Sequence, residues 1–339
     1  MKDVRSDSSF ILHHSSFTIV SMPLSLEQYA RWLDTRRELT WPAPPEPEPV
    51  RARPHLKRLR GVRAVLWNVY GTLLAIPLGE LVFEHPTQFV MTTALEKTIA
   101  EFKMWFSMSR KPGAPSEYMG QIYRSLLDEQ RLAPSPGEKY PEILSERVWE
   151  GVLKKLMAKE YQFDAAFYGS LNEYSRKIAY FFHASLQGTA AYPGAAAALR
   201  SVAERGLLQG LCADGQCFTS VQLRRALTEQ DPDLPFDDLL PADRQALSHA
   251  VRGRKPSERL FRAALDALAT QGVEPHEILH VGSRLERDLL PARKLGLRTA
   301  LFAGDRASLD APQERLNEKS HKPDVLLTRL EQIADVVKG

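Results

Sequence analysis

Residues 64–69, AVLWNV, followed by Tyr70, Gly71, Thr72 and Leu73, form a short and nearly all-apolar run that stops at a glycine. A run of this length bounded by turn residues is the pattern of a strand buried on both faces of a parallel sheet. The same signal predicts strands over 207–213 (LLQGLCA), 278–282 (ILHVG), 298–302 (RTALF) and 324–327 (DVLL). Helical periodicity occupies 194–205, 217–229, 256–270, 285–295 and 328–337. Strands alternating with helices in this way imply an α/β fold, a doubly wound Rossmann-like parallel sheet.

The interval between the first strand and the second is too long for one crossover, so a separate unit is inserted there. Met91, Leu95, Phe102 and Phe106 make a helical stripe over 87–109, and Phe167, Leu171, Tyr174, Ile178 and Phe182 make another over 164–186. Shorter helices fit 116–130 and 145–160. The insertion, residues 79–188, is therefore expected to be an all-helical cap above the carboxyl edge of the sheet, where α/β folds place their sites. Its aromatic stripes read as bundle core. The α/β core then consists of residues 64–78 and 189–339.

Residues 1–63 precede this core. Ser25 and Gln28 have the spacing of a capping box for a short helix whose face carries Leu26, Tyr29 and Leu33. PAPPEPEP at 42–49 is a proline-stiffened strap, and Arg51, Arg53, Lys57, Arg58, Arg60 and Arg63 form a basic arm after it. Residues 1–21 are expected to be a disordered lead or the product of an early start codon, because Met22 stands directly before the first organised segment.

Composition narrows the function classes. The chain has 339 residues, 43% hydrophobic and 26% charged, with a formal net charge of +3. That is an ordinary globular balance, and it gives no global argument for nucleic acid or acidic membranes. Two cysteines, Cys212 and Cys217, cannot build a disulfide framework and lack partners at zinc-ligand spacing, which fits a reducing, cytoplasmic setting. No run in the sequence has the length of a membrane-spanning helix. Nucleic acid and membrane partners are not expected; the basic arm is the sole feature favouring nucleic acid, and such arms are ordinarily solvated.

Four stretches at predicted strand ends carry the chemistry: Asn68-Val-Tyr-Gly-Thr72-Leu, Cys212-Ala213-Asp214-Gly, Gly-Arg-Lys255-Pro, and Gly-Ser283-Arg-Leu-Glu-Arg-Asp288. In order and spacing they resemble the haloacid dehalogenase superfamily, over about residues 62–305. YPGAAAALRSVAERGL at 192–207 and PARKLGLRTALF at 291–302 strengthen the likeness. The resemblance implies that an aspartate ending the first strand attacks substrate and becomes a covalent intermediate. Asn68 occupies that position. An amide oxygen carries no formal charge and its lone pair is delocalised, so it is a poor nucleophile. Loss of a nucleophile can cost on the order of a millionfold in rate.

In phosphatases of the family an acid/base aspartate stands two residues later, where this chain has Tyr70. Tyr70, Gly71, Thr72 and Ser283 are similar to the 2-haloacid dehalogenase branch, whose members work without magnesium, and Asp288 matches an aspartate of that branch. The second motif supplies no hydroxyl, because Ala213 stands there, and Asp214 replaces the usual asparagine and is expected to repel an anionic substrate. Lys255 matches the superfamily lysine and, with Asn68 uncharged, is expected to pair with Asp288. That pairing argues against a tight magnesium site, and no cofactor is expected.

Other groups near the motifs are candidates for the missing chemistry. Cys217 falls in the predicted first turn of the helix after the second strand, where a helix dipole can activate a thiol. Cys212 reads as structural, and His183 as a packed, hydrogen-bonded cap residue. Arg110 and Lys111, in a cap loop broken by proline and glycine, could contact an anion. The resulting expectation is a protein of hydrolase fold with an impaired site, binding a small anionic ligand or a protein partner. The alternative is an active hydrolase, on a phosphate ester or a haloacid, that uses a non-standard nucleophile.

Overall fold

The computed structural model describes residues 22–108, 113–133 and 135–337. Its centre is a six-stranded parallel sheet of β1 (Ala64–Trp67), β4 (Leu208–Ala213), β5 (Gln245–Leu247), β6 (Ile278–Gly282), β7 (Arg298–Phe302) and β8 (Val325–Leu327), in the order β5-β4-β1-β6-β7-β8. An antiparallel ribbon of β2 (Leu74–Ala75) and β3 (Ala190–Ala191) joins this sheet to the insertion. The doubly wound α/β reading is correct. The period of two explains how β1 serves both faces: Val65 and Trp67 pack with Leu199 and Leu223 on one side, while Ala64 and Leu66 pack with Leu260 and Phe261 on the other.

β1 lies between β4 and β6, so its carboxyl end opens at the point where the strand order reverses, the usual ligand crevice of such sheets. Edge strand β5 went unpredicted because three residues, Gln245-Ala-Leu, carry no readable periodicity.

Between β2 and β3 run α2 (Gln88–Glu101), α3 (Pro115–Leu132), α4 (Ser145–Met157), α5 (Ala165–Tyr168) and α6 (Leu171–Leu186), around a core that includes Met91, Tyr123, Trp149, Tyr174 and Phe182. Two details differ from the periodicity. Gly169, at φ 85°, breaks the predicted 164–186 helix into α5 and α6, and Ser170 restarts it with a capping box to Glu173. The first stripe ends at Glu101, and Phe106 lies 66% exposed in a following 3₁₀ turn, stacked on Trp105. The predicted helix over 285–295 opens as a π turn, Leu285–Leu289, before its α segment.

Helix α1 (Leu26–Asp34) has the Ser25–Gln28 capping box and buries Tyr29, Ala30 and Leu33 in the core of the helical insertion rather than standing apart. The strap then crosses the return into β3. A Cβ at Gly188 would lie 2.3 Å from the Pro42 carbonyl oxygen, so only glycine permits the crossing. The Glu48 N–H donates to Asp305 Oδ1 at 3.0 Å. His55 bridges antiparallel to Leu326, so the basic arm covers the exposed edge of β8. The expected lead at 1–21 lies outside the described residues.

Candidate functional site

Asn68 is the first residue beyond β1. Its N–H donates to the Val281 carbonyl at 2.9 Å, which continues the β1–β6 pairing and directs the side chain into the crevice floor, where it is 6% exposed. Its Oδ1 accepts from Lys255 Nζ at 3.1 Å, while Nδ2 donates to the Tyr70 carbonyl at 2.9 Å and lies 3.4 Å from Thr72 Oγ1. The orientation of the amide is fixed by chemistry: an ammonium can only donate, so the oxygen faces Lys255. Gly71, at φ 79°, makes the turn that folds Thr72 back toward this amide.

Lys255 and Asp288 form the buried centre. Nζ lies 2.7 Å from Asp288 Oδ1, with the two side chains 1% and 2% exposed. Asp288 Oδ2 accepts the N–H groups of Ser283 at 3.1 Å and Arg284 at 3.0 Å. Burial alone would raise the Asp288 carboxyl, but Lys255, with smaller pulls from His280 and Arg284, overrules it and holds the group below the usual carboxylate range. His280, 3.4 Å from Nζ, is pushed down to about 3 by burial and by the lysine, so it is neutral and does not compete for the aspartate. The predicted pairing of Lys255 with Asp288 is what the structure contains.

Asn68, Thr72, Lys255, Ser283 and Asp288 thus converge, with the Ser283 hydroxyl buried and lacking a partner among the described residues. Tyr70 diverges. Its hydroxyl bonds Thr219 at 3.0 Å and Gln222 at 2.6 Å, and burial pushes the phenol well above its ordinary range. Ala213 closes β4 with no polar group to offer. Asp214 corrects an expectation: its Oδ2 is 2.6 Å from Arg287 and its Oδ1 accepts the Lys255 N–H at 2.7 Å, so its charge is neutralised in place rather than presented to a ligand.

Above this floor lies a crevice of about 380 Å³. One wall carries Arg254, Arg284 and Arg287, another Leu81, Val82 and Phe83, and Glu142 reaches in from the helical insertion. Sequence reasoning passed over these residues. Arg284 and Arg287 stood inside the Gly-Ser283 to Asp288 stretch and Arg254 beside Lys255, yet only the fold shows that they share a wall. Glu142 had no signal. The segment that carries it is laid on the core: Arg254 N–H donates to the Tyr140 carbonyl at 2.8 Å, and the Gln216 side chain bonds both the Ser145 N–H and the Ile143 carbonyl at 2.9 Å.

Glu142 is pushed up to about 7, chiefly by burial and next by Asp214, against the pull of its Ser248 hydrogen bond and Arg254. The sign follows from proton linkage. Between the unfolded carboxyl value and pH 7 the native chain holds a proton that the unfolded chain has lost, so stability falls as pH rises through that window. Glu142→Gln is expected to remove this slope, making the variant more stable than wild type at pH 8 by about 1–3 kcal/mol and little changed at pH 5. Urea titrations at the two pH values check it; equal differences at both would contradict the assignment.

The residues present do not fit a magnesium ion, the metal that phosphatases of the resembled superfamily use. Both Asp288 oxygens are taken by Lys255 and by backbone N–H groups, and both Asp214 oxygens by Arg287 and the Lys255 N–H. A hard divalent cation needs carboxylates free to ligate, and a lysine at contact distance opposes it. Among the described residues no group of three or more His, Cys, Asp or Glu side chains is placed to hold a metal.

Cys217 is also corrected. It precedes the helix Thr219–Gln230 instead of sitting in its first turn, and burial followed by the Glu146 carboxylate push its thiol far up. Cys212 is buried in β4 and pushed up to about 12. Both thiols are expected to resist iodoacetamide at pH 7.5 in the native protein and to react promptly in urea. Fast native labelling at Cys217 would revive it as a nucleophile. His183 packs against Phe83, Phe182 and Phe218, and burial lowers it to about 3. The Val82 backbone opposes that shift. Arg110 and Lys111 lie outside the described residues.

Comparison with known proteins agrees with the motif reading. The HAD-hydrolase-like family matches residues 252–333, the segment that carries Lys255, Ser283 and Asp288. A glyceraldehyde 3-phosphate phosphatase of Pyrococcus furiosus is 28% identical over 147 residues, 43% of this chain and 54% of the relative. The chain thus spans about half the length of the curated relative it matches. Among solved structures, a 2-haloacid dehalogenase from Pseudomonas syringae aligns over 80% of this chain and 96% of its own at 19% identity, with a TM-score of 0.48. A putative HAD-hydrolase from Bacillus subtilis bound to magnesium aligns over 82% and 97% at 15% identity, with a TM-score of 0.39. No helix of the described residues is long and apolar enough to cross a membrane.

Proposed function

We propose that this haloacid dehalogenase-like chain uses its crevice to bind a small anionic ligand without covalent turnover. One observation carries the reading: Asn68 stands on the crevice floor with its amide oxygen turned to Lys255 and its nitrogen spent on the Tyr70 carbonyl. The position that ends β1 offers no carboxylate to form a bond to substrate, and Asp288, the carboxylate paired with Lys255, is held on both oxygens. Arg254, whose guanidinium has no ion pair among the described residues, and the apolar Leu81, Val82 and Phe83 support a ligand with an anionic head and an apolar body.

The rival reading, a hydrolase with a non-standard nucleophile, draws on the likeness to the Pyrococcus furiosus phosphatase. Neither of the side chains nearest that role favours it: the Cys217 thiol is pushed up, and Asp214 is bound on both oxygens. The readings separate in a thermal-shift screen of small carboxylates and phosphate esters followed by product analysis. Stabilisation with the compound recovered intact supports binding, whereas a stabilising compound that is consumed supports the hydrolase.

A further inference from the structure

We propose that the crevice takes up its anion together with one proton, with Arg254 receiving the anion and Glu142 the proton. This rests on the reading above and deepens it. Arg254 lines the crevice, and its guanidinium forms no hydrogen bond or ion pair with any described residue. Its neighbours are already occupied: Arg284 bonds Glu80 at 3.1 Å, Arg287 bonds Glu80 at 2.9 Å and Asp214 at 2.6 Å, and Arg131 bonds Glu84 at 3.0 Å. Arg254 feels Glu142 and Glu80 only at a distance, so an anion in the crevice can take its guanidinium without displacing a bonded partner.

The seat for the proton is built from three groups. Ser248 Oγ is buried, accepts the Gly215 N–H at 2.8 Å, contacts Glu142 Oε2, and lies 3.1 Å from the Gly215 carbonyl. When Glu142 is ionised, the Ser248 proton points to its carboxylate. When Glu142 is protonated, it donates to Ser248 and the serine proton turns to the Gly215 carbonyl. A hydroxyl with one proton and two lone pairs satisfies both arrangements, so the proton enters without leaving a buried group unpaired. The other Glu142 oxygen keeps the Ile143 N–H at 3.0 Å in either state.

The carboxylates around Glu142 are held by partners of their own. Asp214 and Glu80 are paired with arginines, Glu138 on the same segment bonds Ser257 at 2.6 Å, and Arg252 meets Glu142 through its backbone carbonyl. His249, beside Ser248, is held neutral with its value lowered to about 4 by burial and by Arg176 and Arg252. Glu142, pushed up to about 7, is therefore the crevice group that changes charge between pH 6 and 8. An ionised Glu142 repels an anion at Arg254, and a protonated one does not. By reciprocity the bound anion raises the affinity of Glu142 for its proton.

Sulfate is the probe, because its charge is constant over this range. Calorimetric titration of the full chain at constant ionic strength, in buffers of different ionisation enthalpy, should show sulfate binding about tenfold tighter at pH 6 than at pH 8, since one coupled proton contributes at most a factor of ten per pH unit. About one proton should be taken up per sulfate at pH 8. Glu142→Gln, whose amide can keep both hydrogen bonds, should bind at pH 8 as wild type does at pH 6, with no proton uptake. Arg254→Gln should weaken binding at least tenfold at either pH, with an unchanged melting temperature confirming that it folds. Equal affinity at the two pH values, unaltered binding by Arg254→Gln, or no sulfate binding would each overturn the proposal. Substrate turnover by wild type would instead count against the non-catalytic reading and leave the proton linkage standing.

Discussion

Asp288→Ala is expected to destabilise the protein by about 3–5 kcal/mol, among the largest losses any single substitution in the crevice should produce. The reason is what remains behind. The Lys255 side chain is 1% exposed, and without Asp288 the partners left to Nζ are the Asn68 amide oxygen, a neutral His280 and the Phe261 ring. An ammonium stripped of water and of its counter-ion cannot recover its hydration at that depth. The N–H groups of Ser283 and Arg284 also lose their acceptor. Denaturant unfolding measures the loss. Adding Lys255→Met should return part of it, because an apolar side chain in the same volume removes the orphaned charge. A loss under about 1 kcal/mol would mean that the pair is not buried as described. Acid should act through the same group: the folded Asp288 value is depressed, so its contribution is complete above the unfolded carboxyl value and fades as pH falls through the lower folded one.

Asn68→Asp is the second large effect, and it acts on activity. The substitution places a carboxylate about where Oδ1 now sits, 3.1 Å from Lys255 Nζ, and so restores the attacking group of the resembled family. Hydrolysis of 2-haloacids should rise at least about a hundredfold over wild type, a fraction of the millionfold a complete site can lose with its nucleophile. Phosphate esters should stay unhydrolysed, because Tyr70 supplies no crevice acid and the carboxylates needed for a metal are engaged. The cost is local. The 2.9 Å bond from Nδ2 to the Tyr70 carbonyl becomes a contact between two oxygens, so the variant should lose about 1–3 kcal/mol of stability. Equal rates for variant and wild type on haloacids would show that the nucleophile's position is not what limits this site.

What the sequence made legible follows from physics that acts locally. β1, β4, β6 and β7 could be read because strands buried on both faces are continuous apolar runs. Three of the four motifs could be placed because each follows such a run, which carries Asn68, Ser283 and Asp288 to one edge; the Lys255 motif comes after β5, which has no such signal. Features that depend on distant partners could not be read. Asp214 looked repulsive until Arg287 was seen beside it, and Glu142 is an anonymous cap carboxyl until Ser248, 106 residues away, closes on it. An activated Cys217 requires a helix that begins two residues earlier than it does. The break at Gly169 was missed because the apolar stripe continues in register on both sides of it.

The most direct measurement is a hydrolysis screen of the wild-type chain against phosphate esters and 2-haloacids, with intact-protein mass spectrometry of every incubation. With Asn68 on the crevice floor, product should form no faster than in buffer, and no covalent adduct should be detected. Saturable product formation that Lys255→Ala abolishes, or a trapped adduct on any crevice residue, would contradict a site that binds without reacting.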